Sequence, residues 1–435
     1  MQLPQYPRYD DYVDSGFDWI KNVPGHWTVS KLGSCLSPVS KKNHGDKPLL
    51  SITREAGVIE RDVEDQDSNH NFIPDDLSNY KLVREGQFAM NKMKAWQGSY
   101  GVSEHTGIVS PAYYVFDFAK PFDPRFFNIA IRSKLYVSYF GSASDGVRIG
   151  QWDLNKTRMK AIPFLVPPLE EQQAIARFLD DKTDKIDRAV KIKEGQIALL
   201  RERKQIIIQE AVTKGLNAQA PMKDSGIDWI GQIPAHWDVK RLKHLGDAVI
   251  GLTYDPKNLC DAEEGTLVLR SSNLKNGRFV YGEKENAYVS SKIPEKLLIR
   301  KDDILICSRN GSRDLIGKCA FATEQDAGAS FGAFTTVFRS SLNQYLFQIL
   351  NSNIFQQLSG SFLTSTINQL TTGNLNSISV PIPPQKEREE LTAYLIKQTG
   401  GIEAAIELKE RQIGALKEYK ATLINAAVTG KIKVI

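Results

Sequence analysis

Two stretches of this chain carry a heptad pattern, and outside them the pattern breaks into short apolar runs. From Ile186 onward, apolar or long-stemmed residues return at alternating steps of four and three: Ile186, Val190, Lys193, Ile197, Leu200, Lys204, Ile207 and Ala211. An a/d seam kept over more than three heptads predicts a long helix packed against another helix. Adding 216 to each number gives Ile402, Ile406, Lys409, Ile413, Leu416, Lys420, Leu423 and Ala427. Even the two seam lysines recur. A helix with one apolar stripe needs a partner, and the second copy is the natural one. A seam lysine can lay its stem on the apolar stripe while its charge reaches water; the alternative is an ordinary exposed helix lysine. Pro167-Pro168 and Pro383-Pro384 mark the helix starts, with acidic residues in the first turns, where the helix dipole favours them.

Elsewhere the runs are those of strands broken by Gly, Pro and Asn, as in Pro48-Leu-Leu-Ser-Ile52, Gln87-Phe-Ala-Met90 and Ala112-Tyr-Tyr-Val-Phe116. A mixed, twisted sheet with a few helices is predicted. The repeat extends into these parts. Asp14-Ser-Gly-Phe-Asp-Trp-Ile20 with Pro24-Gly-His-Trp27 returns, 210 residues on, as Asp224-Ser-Gly-Ile-Asp-Trp-Ile230 with Pro234-Ala-His-Trp237. Leu82–Met90 matches Leu298–Ile306, and Val115-Phe116 recurs as Val337-Phe338. The rest of the two globular parts differs sharply. The expected organisation is a globular part over 1–160 with its Trp-rich opening, a helix over 161–220, a second globular part over 221–378 and a second helix over 379–435.

Composition narrows the class. At 435 residues, with 41% hydrophobic and 25% charged residues, the chain has ordinary globular values and room for two or three domains. A net charge of +5 permits a polyanionic partner without demanding one. The four cysteines, Cys35, Cys260, Cys307 and Cys319, show no metal-ligand spacing, so a reduced intracellular protein is expected. No signal peptide or membrane-spanning run is seen, and a cytoplasmic location is the expectation.

No catalytic constellation stands out. The Asn/Asp-Pro-Pro-aromatic signature of amino-methyltransferases is absent, since Leu169 and Gln385 follow the two Pro-Pro pairs. Gly311 to Cys319 approaches a phosphate-binding loop but has five residues between its glycines and Cys where Ser or Thr would bind magnesium. The six histidines are scattered, and the recurrence of His26 and His236 beside tryptophans suggests docking rather than metal binding.

The chain does carry residues suited to reading base edges. In the first half Lys92, Lys94, Trp96, Gln97, Ser99 and Tyr100 crowd one loop, with Arg54 after a predicted strand and Arg148 before the helix. In the second half Arg309, Asn310, Ser312 and Arg313 occupy the corresponding place, with Arg270, Ser271 and Asn273 after a strand and Asn368-Gln369 before the helix. Lysine suits phosphates, Arg suits guanine, Asn and Gln suit adenine, and Trp or Tyr can stack or wedge. Residues 186 to 211 would span about 38 Å as a helix, close to the ~34–36 Å turn of B-DNA that separates half-sites on one face.

Over essentially its whole length the chain resembles the specificity subunits of type I restriction–modification systems. The residues that carry the likeness are Gly226–Trp237 with its first-half twin, Ile162–Gln172 before the first helix, and Leu416–Gly430 at the tail. The resemblance implies an α+β fold with an internal two-fold repeat: two similar target-recognition domains of mixed α/β structure, about 30–160 and 240–378, separated by two long antiparallel helices that form a coiled-coil spacer. It implies a non-catalytic subunit that reads a bipartite site in double-stranded DNA. Two modification (methyltransferase) subunits would bind S-adenosylmethionine and methylate adenine N6, and two restriction subunits would use ATP and Mg2+; no cofactor is expected in this chain. The competing expectation is a duplicated coiled-coil scaffold that binds proteins without reading DNA.

Overall fold

The computed structural model describes residues 6–62, 73–148, 151–362 and 368–434. They fall into two units: residues up to Glu194 together with those from Glu410 onward, and Gly195–Lys409. Each long helix is thus shared between the units, a grouping different from the four consecutive blocks expected from the sequence.

In the first unit an antiparallel sheet has the order Leu36–Val39, Tyr114–Phe118, Phe88–Met90, Tyr100–Val102. The second unit repeats that order with Asp247–Ile250, Thr335–Arg339, Ile304–Cys307 and Cys319–Phe321. The repeat detected in the sequence becomes a repeat of register: Val115 faces Ala89 in one sheet and Val337 faces Leu305 in the other. The central strands are buried on both faces, which explains their unbroken apolar character. Helices Pro124–Ile131 and Lys134–Ser142 cover the first sheet, packing Phe126, Phe127, Tyr136 and Phe140 into a core with Phe88, Phe116 and Phe164. Asn343–Leu350 and Asn353–Ser361 do the same in the second, burying Tyr345 and Phe355 with Phe331 and Phe338. The second unit also holds a small mixed sheet in which Thr266–Leu269 pairs in parallel with Ser330–Phe331.

The Trp-rich openings are docking elements. Tyr12–Asp14 pairs with Asn22–Pro24, and Met222–Asp224 with Gln232–Pro234. A strand then follows each and pairs with the strand just before the long helix: Thr28–Lys31 with Pro163–Val166, and Asp238–Arg241 with Ser379–Ile382. The first turn of each helix is thereby brought under the histidine. His26 Nε2 lies 2.8 Å from Glu171, which also accepts from the Tyr9 hydroxyl. His236 Nε2 lies 2.7 Å from Glu387, which accepts from Trp237 Nε1 at 3.1 Å. Both histidines therefore dock onto carboxylates, and among the described residues no His/Cys/Asp/Glu cluster is built for a metal.

The long helices run Leu169–Lys214 and Gln385–Val428. Within each unit they pack antiparallel. In the first, Lys193 bonds Gln412 and Lys420 bonds Asp187; in the second, Lys409 bonds Gln196 and Lys204 bonds Glu403. Every pair in one unit maps onto a pair in the other by the 216-residue shift. The seam lysines are therefore neither idle nor wholly exposed. Their stems lie on the seam and their ammonium groups reach across it. Ile186, Val190, Ile197, Ile406 and Leu423 are buried, while Leu200, Ile402, Ile413 and Leu416 are half-buried. One seam position shifts: Ile208, not Ile207, is the buried residue, because here the helix enters the domain core, where Ile208, Ala211 and Val212 cluster with Leu391 and Leu395 of the other helix and with the sheet. Both helices end near a glycine at positive φ, Gly215 (72°) and Gly430 (69°). A Cβ would strike Trp237 at 3.0 Å in the first case and Pro24 at 2.4 Å in the second, so glycine is required for helix and docking segment to meet.

Lys204 is the most enclosed of the four lysines, its side chain 14% exposed and 2.6 Å from Glu403. Lys204→Ala is expected to cost about 1 kcal/mol in denaturant unfolding, because it leaves the half-buried Glu403 carboxylate with only the longer 3.6 Å contact to Arg278. Lys193→Ala, which loses a bond to a neutral exposed amide, should cost under about 0.5 kcal/mol.

Candidate nucleic-acid interface

In the second unit the loops at one end of the sheet are knitted into a single face. Asn310 Nδ2 donates to Ser271 Oγ at 3.0 Å, Arg309 forms a backbone bridge with Gln369, and Asn368 Nδ2 donates to the Gly311 carbonyl at 3.2 Å. Ser271, the 309–313 loop and Asn368-Gln369, read separately from the sequence, are neighbours here.

Their roles divide. Asn310 is engaged at both ends of its amide, since its Oδ1 also accepts from Ser312 N at 2.9 Å. Asn273 is fully buried; its Oδ1 accepts from Arg270 N and its Nδ2 donates to the Val280 carbonyl. Arg270 donates to the Glu285 carbonyl and Arg313 to the Gly360 carbonyl. Asn273 is thus corrected from candidate reader to buried scaffold, and Asn310 and Arg270 hold the loops in place. Arg309 and Ser312 are exposed, and the Arg309 guanidinium sits 5.3 Å from the centre of the Phe334 ring. Phe334 was missed in the sequence. Its signal, a phenylalanine flanked by Gly332-Ala333 and two threonines, reads equally well as the start of a strand.

In the first unit the candidate loop is held differently. Trp96 stacks on Trp152 at 5.4 Å between ring centres, with 28° between their planes. Lys92 pairs with Asp153 at 3.1 Å. The hairpin Ser144–Arg148 with Gln151–Leu154 is thereby clamped to the loop carrying Lys94 and Gln97, and Gly146 leaves room for the Trp152 ring, which a Cβ would meet at 2.6 Å. Trp152 was also missed; a tryptophan between Gln151 and Asp153 in a polar strand was the available signal. Arg148 lies in the hairpin backbone, and its side chain falls outside what is described. Ser99 and Tyr100 are corrected: both are buried, Tyr100 fully, and burial pushes its phenol well above the usual range. Ser99 ends the loop, Tyr100 opens the strand Tyr100–Val102, and neither is open to solvent. Arg54 lies on a turn pinned by Arg132, which donates to the carbonyls of Arg54, Glu55 and Tyr100. Arg54 itself is exposed, 3.8 Å from Glu55.

Two globular domains of one topology, each presenting a differently built polar and aromatic loop face and joined by a repeated helix pair, define a duplicated recognition protein. Residues 108–199 and 234–412, more than half of the chain, match the type I restriction modification DNA specificity domain, and the chain belongs to that family. Among curated relatives it is 28% identical over 314 residues to the specificity subunit of the type I restriction enzyme MjaVIII of Methanocaldococcus jannaschii, covering 69% of each chain. It is 22% identical over 209 residues to the EcoKI specificity subunit of Escherichia coli K12, covering 46% of this chain and 44% of that one. A chain from a solved type I R-M system shares the fold, with a TM-score of 0.66 at 15% identity over 93% of this chain and 98% of that chain. Recognition of DNA sequence within a type I restriction–modification system is the function this family carries.

Proposed function

We propose that each globular domain reads one half of a split DNA site and that the chain has no catalysis of its own. The observation that carries this reading is the contrast between the repeated and the divergent parts. Sheet register, the His–Glu docking contact and the lysine contacts between the helices repeat at residue level, whereas the loop face is built on Trp96–Trp152 in one domain and on Arg309–Phe334 in the other. Identical partners require the first, and two different half-sites require the second.

The partners are two modification subunits that bind S-adenosylmethionine and methylate adenine N6, joined by two restriction subunits that use ATP and Mg2+. Equivalent apolar residues on the long helices are open to solvent in both units, Ile192 at 61% and Leu408 at 49%, again 216 apart. Such positions suit two copies of one protein partner. Ile192→Glu with Leu408→Glu is expected to reduce co-purification of the modification subunit at least tenfold and leave the thermal unfolding of the isolated chain unchanged. Unimpaired assembly would locate the docking faces elsewhere.

The testing experiment is co-expression with a modification subunit, followed by mapping of N6-methyladenine by single-molecule sequencing. A methylated motif of two short specific parts around a fixed gap is the expected result. A complex that assembles and leaves no such mark would favour the protein scaffold.

A further inference from the structure

We infer that Phe334 is a stacking wedge of the second recognition domain, inserted at a base step of the half-site that this domain reads. The inference rests on the reading above and assigns a residue that the sequence motifs did not single out.

Among the described residues, Phe334 is the most exposed large hydrophobic residue outside the long helices, at 59%. Exposure of that size in a floppy loop would mean little, but this residue is held. It sits in a tight turn closed by Thr335 N–H and Thr335 Oγ on the Gly332 carbonyl, at 2.8 and 2.7 Å. Gly332 N–H donates to the Leu269 carbonyl and Ala333 N–H to the Leu252 carbonyl, both at 2.9 Å. The carbonyl of Phe334 itself accepts from Ser308 N–H and Arg309 N–H, at 3.0 and 2.9 Å. The backbone on both sides is therefore fixed while the ring is left in water.

The surroundings and the family match together choose the partner. The Arg309 guanidinium lies over the ring at 5.3 Å from its centre, and the loops tied to Arg309 add the exposed Ser312 and the half-buried Ser271 and Gln369. Aromatic and Arg anchors also serve protein interfaces; what favours nucleic acid here is the DNA specificity domain that matches residues 234–412, with Arg309 beside the ring suited to phosphate or guanine. Apolar wedges inserted between base steps are a known means by which proteins unstack and kink a duplex. A pre-fixed phenyl loses little entropy on binding, and Arg309 beside it can reach phosphate or guanine while its charge polarises the ring.

The test uses the full chain with its modification subunit and duplexes carrying the methylated motif found for the wild type. 2-Aminopurine is placed at successive positions of both half-sites. Wild type should raise its emission at one step of one half-site. Phe334→Ala should abolish that rise, weaken specific binding roughly 5- to 150-fold, change non-specific binding less than about twofold and leave the other half-site untouched. Phe334→Trp should retain both signals. Wild-type binding and emission in Phe334→Ala would overturn the assignment. So would loss of the modification subunit from that variant, which would make Phe334 a protein contact. A wild-type complex with no specific site at all would sink the underlying reading, and it would show before any substitution is made.

Discussion

Arg309→Ala should relax recognition at one position of one half-site. Arg309 is exposed, carries the only positive charge stacked on Phe334 among the described residues, and stands at the junction of the loops tied by the Asn310–Ser271 and Asn368–Gly311 bonds. Its own backbone is fixed by Phe334 and Gln369, so truncating the side chain should leave the loop in place. A lost bidentate base contact costs about 1–3 kcal/mol. Specific over non-specific binding should fall roughly tenfold or more, and methylation should spread to sequences altered at one position of one half-site. Asn310→Ala provides the contrast. Its amide serves the loop, so its loss should blur several positions at once and lower stability modestly. If Arg309→Ala instead weakens binding to all sequences alike, with a shallower salt dependence, the residue holds a phosphate rather than a base.

The other large effect concerns stability. Glu387→Ala should lower the stability of the Gly195–Lys409 unit by about 2–3 kcal/mol. The carboxylate accepts from Trp237 Nε1, on a side chain that is fully buried, and from His236. Removing it strands a buried indole N–H and opens a gap beside Gly215, where an added Cβ would meet Trp237 at 3.0 Å and Glu387 at 3.2 Å. A midpoint some 5–10 °C lower in thermal unfolding is expected. Glu387→Gln keeps an acceptor of the same shape and should cost under about 1 kcal/mol. Equal losses for the two variants would mean that charge, and not the hydrogen bond to Trp237, holds the docking segment to the helix.

The duplication, the long helices and their seam were legible because repetition needs no geometry to detect. A shift of 216 that carries lysines along with isoleucines is a statement about partners as well as packing. The candidate faces were legible only in outline. Arg309, Asn310, Asn273 and Tyr100 look alike in a sequence, as polar or aromatic residues in loops that bracket strands. Alternation cannot say whether Tyr100 faces solvent or core when three consecutive residues of a strand are all buried. Nor can it say that Asn310 spends both ends of its amide on its own loop.

By itself, the sequence determined a two-fold chain, two long helices with seam lysines repeated at fixed spacing, docking segments marked by His-Trp, and membership in a DNA-specificity family. Those follow from local periodicity and from residue identities repeated in order. The tertiary structure alone decided which residues reach the surface together. Trp96 meets Trp152 across 56 residues of chain, and Arg309 meets Phe334 and Gln369 from three separate segments. Contacts of that kind are set by strand register and loop closure, which the hydrophobic pattern fixes only once the sheet has formed.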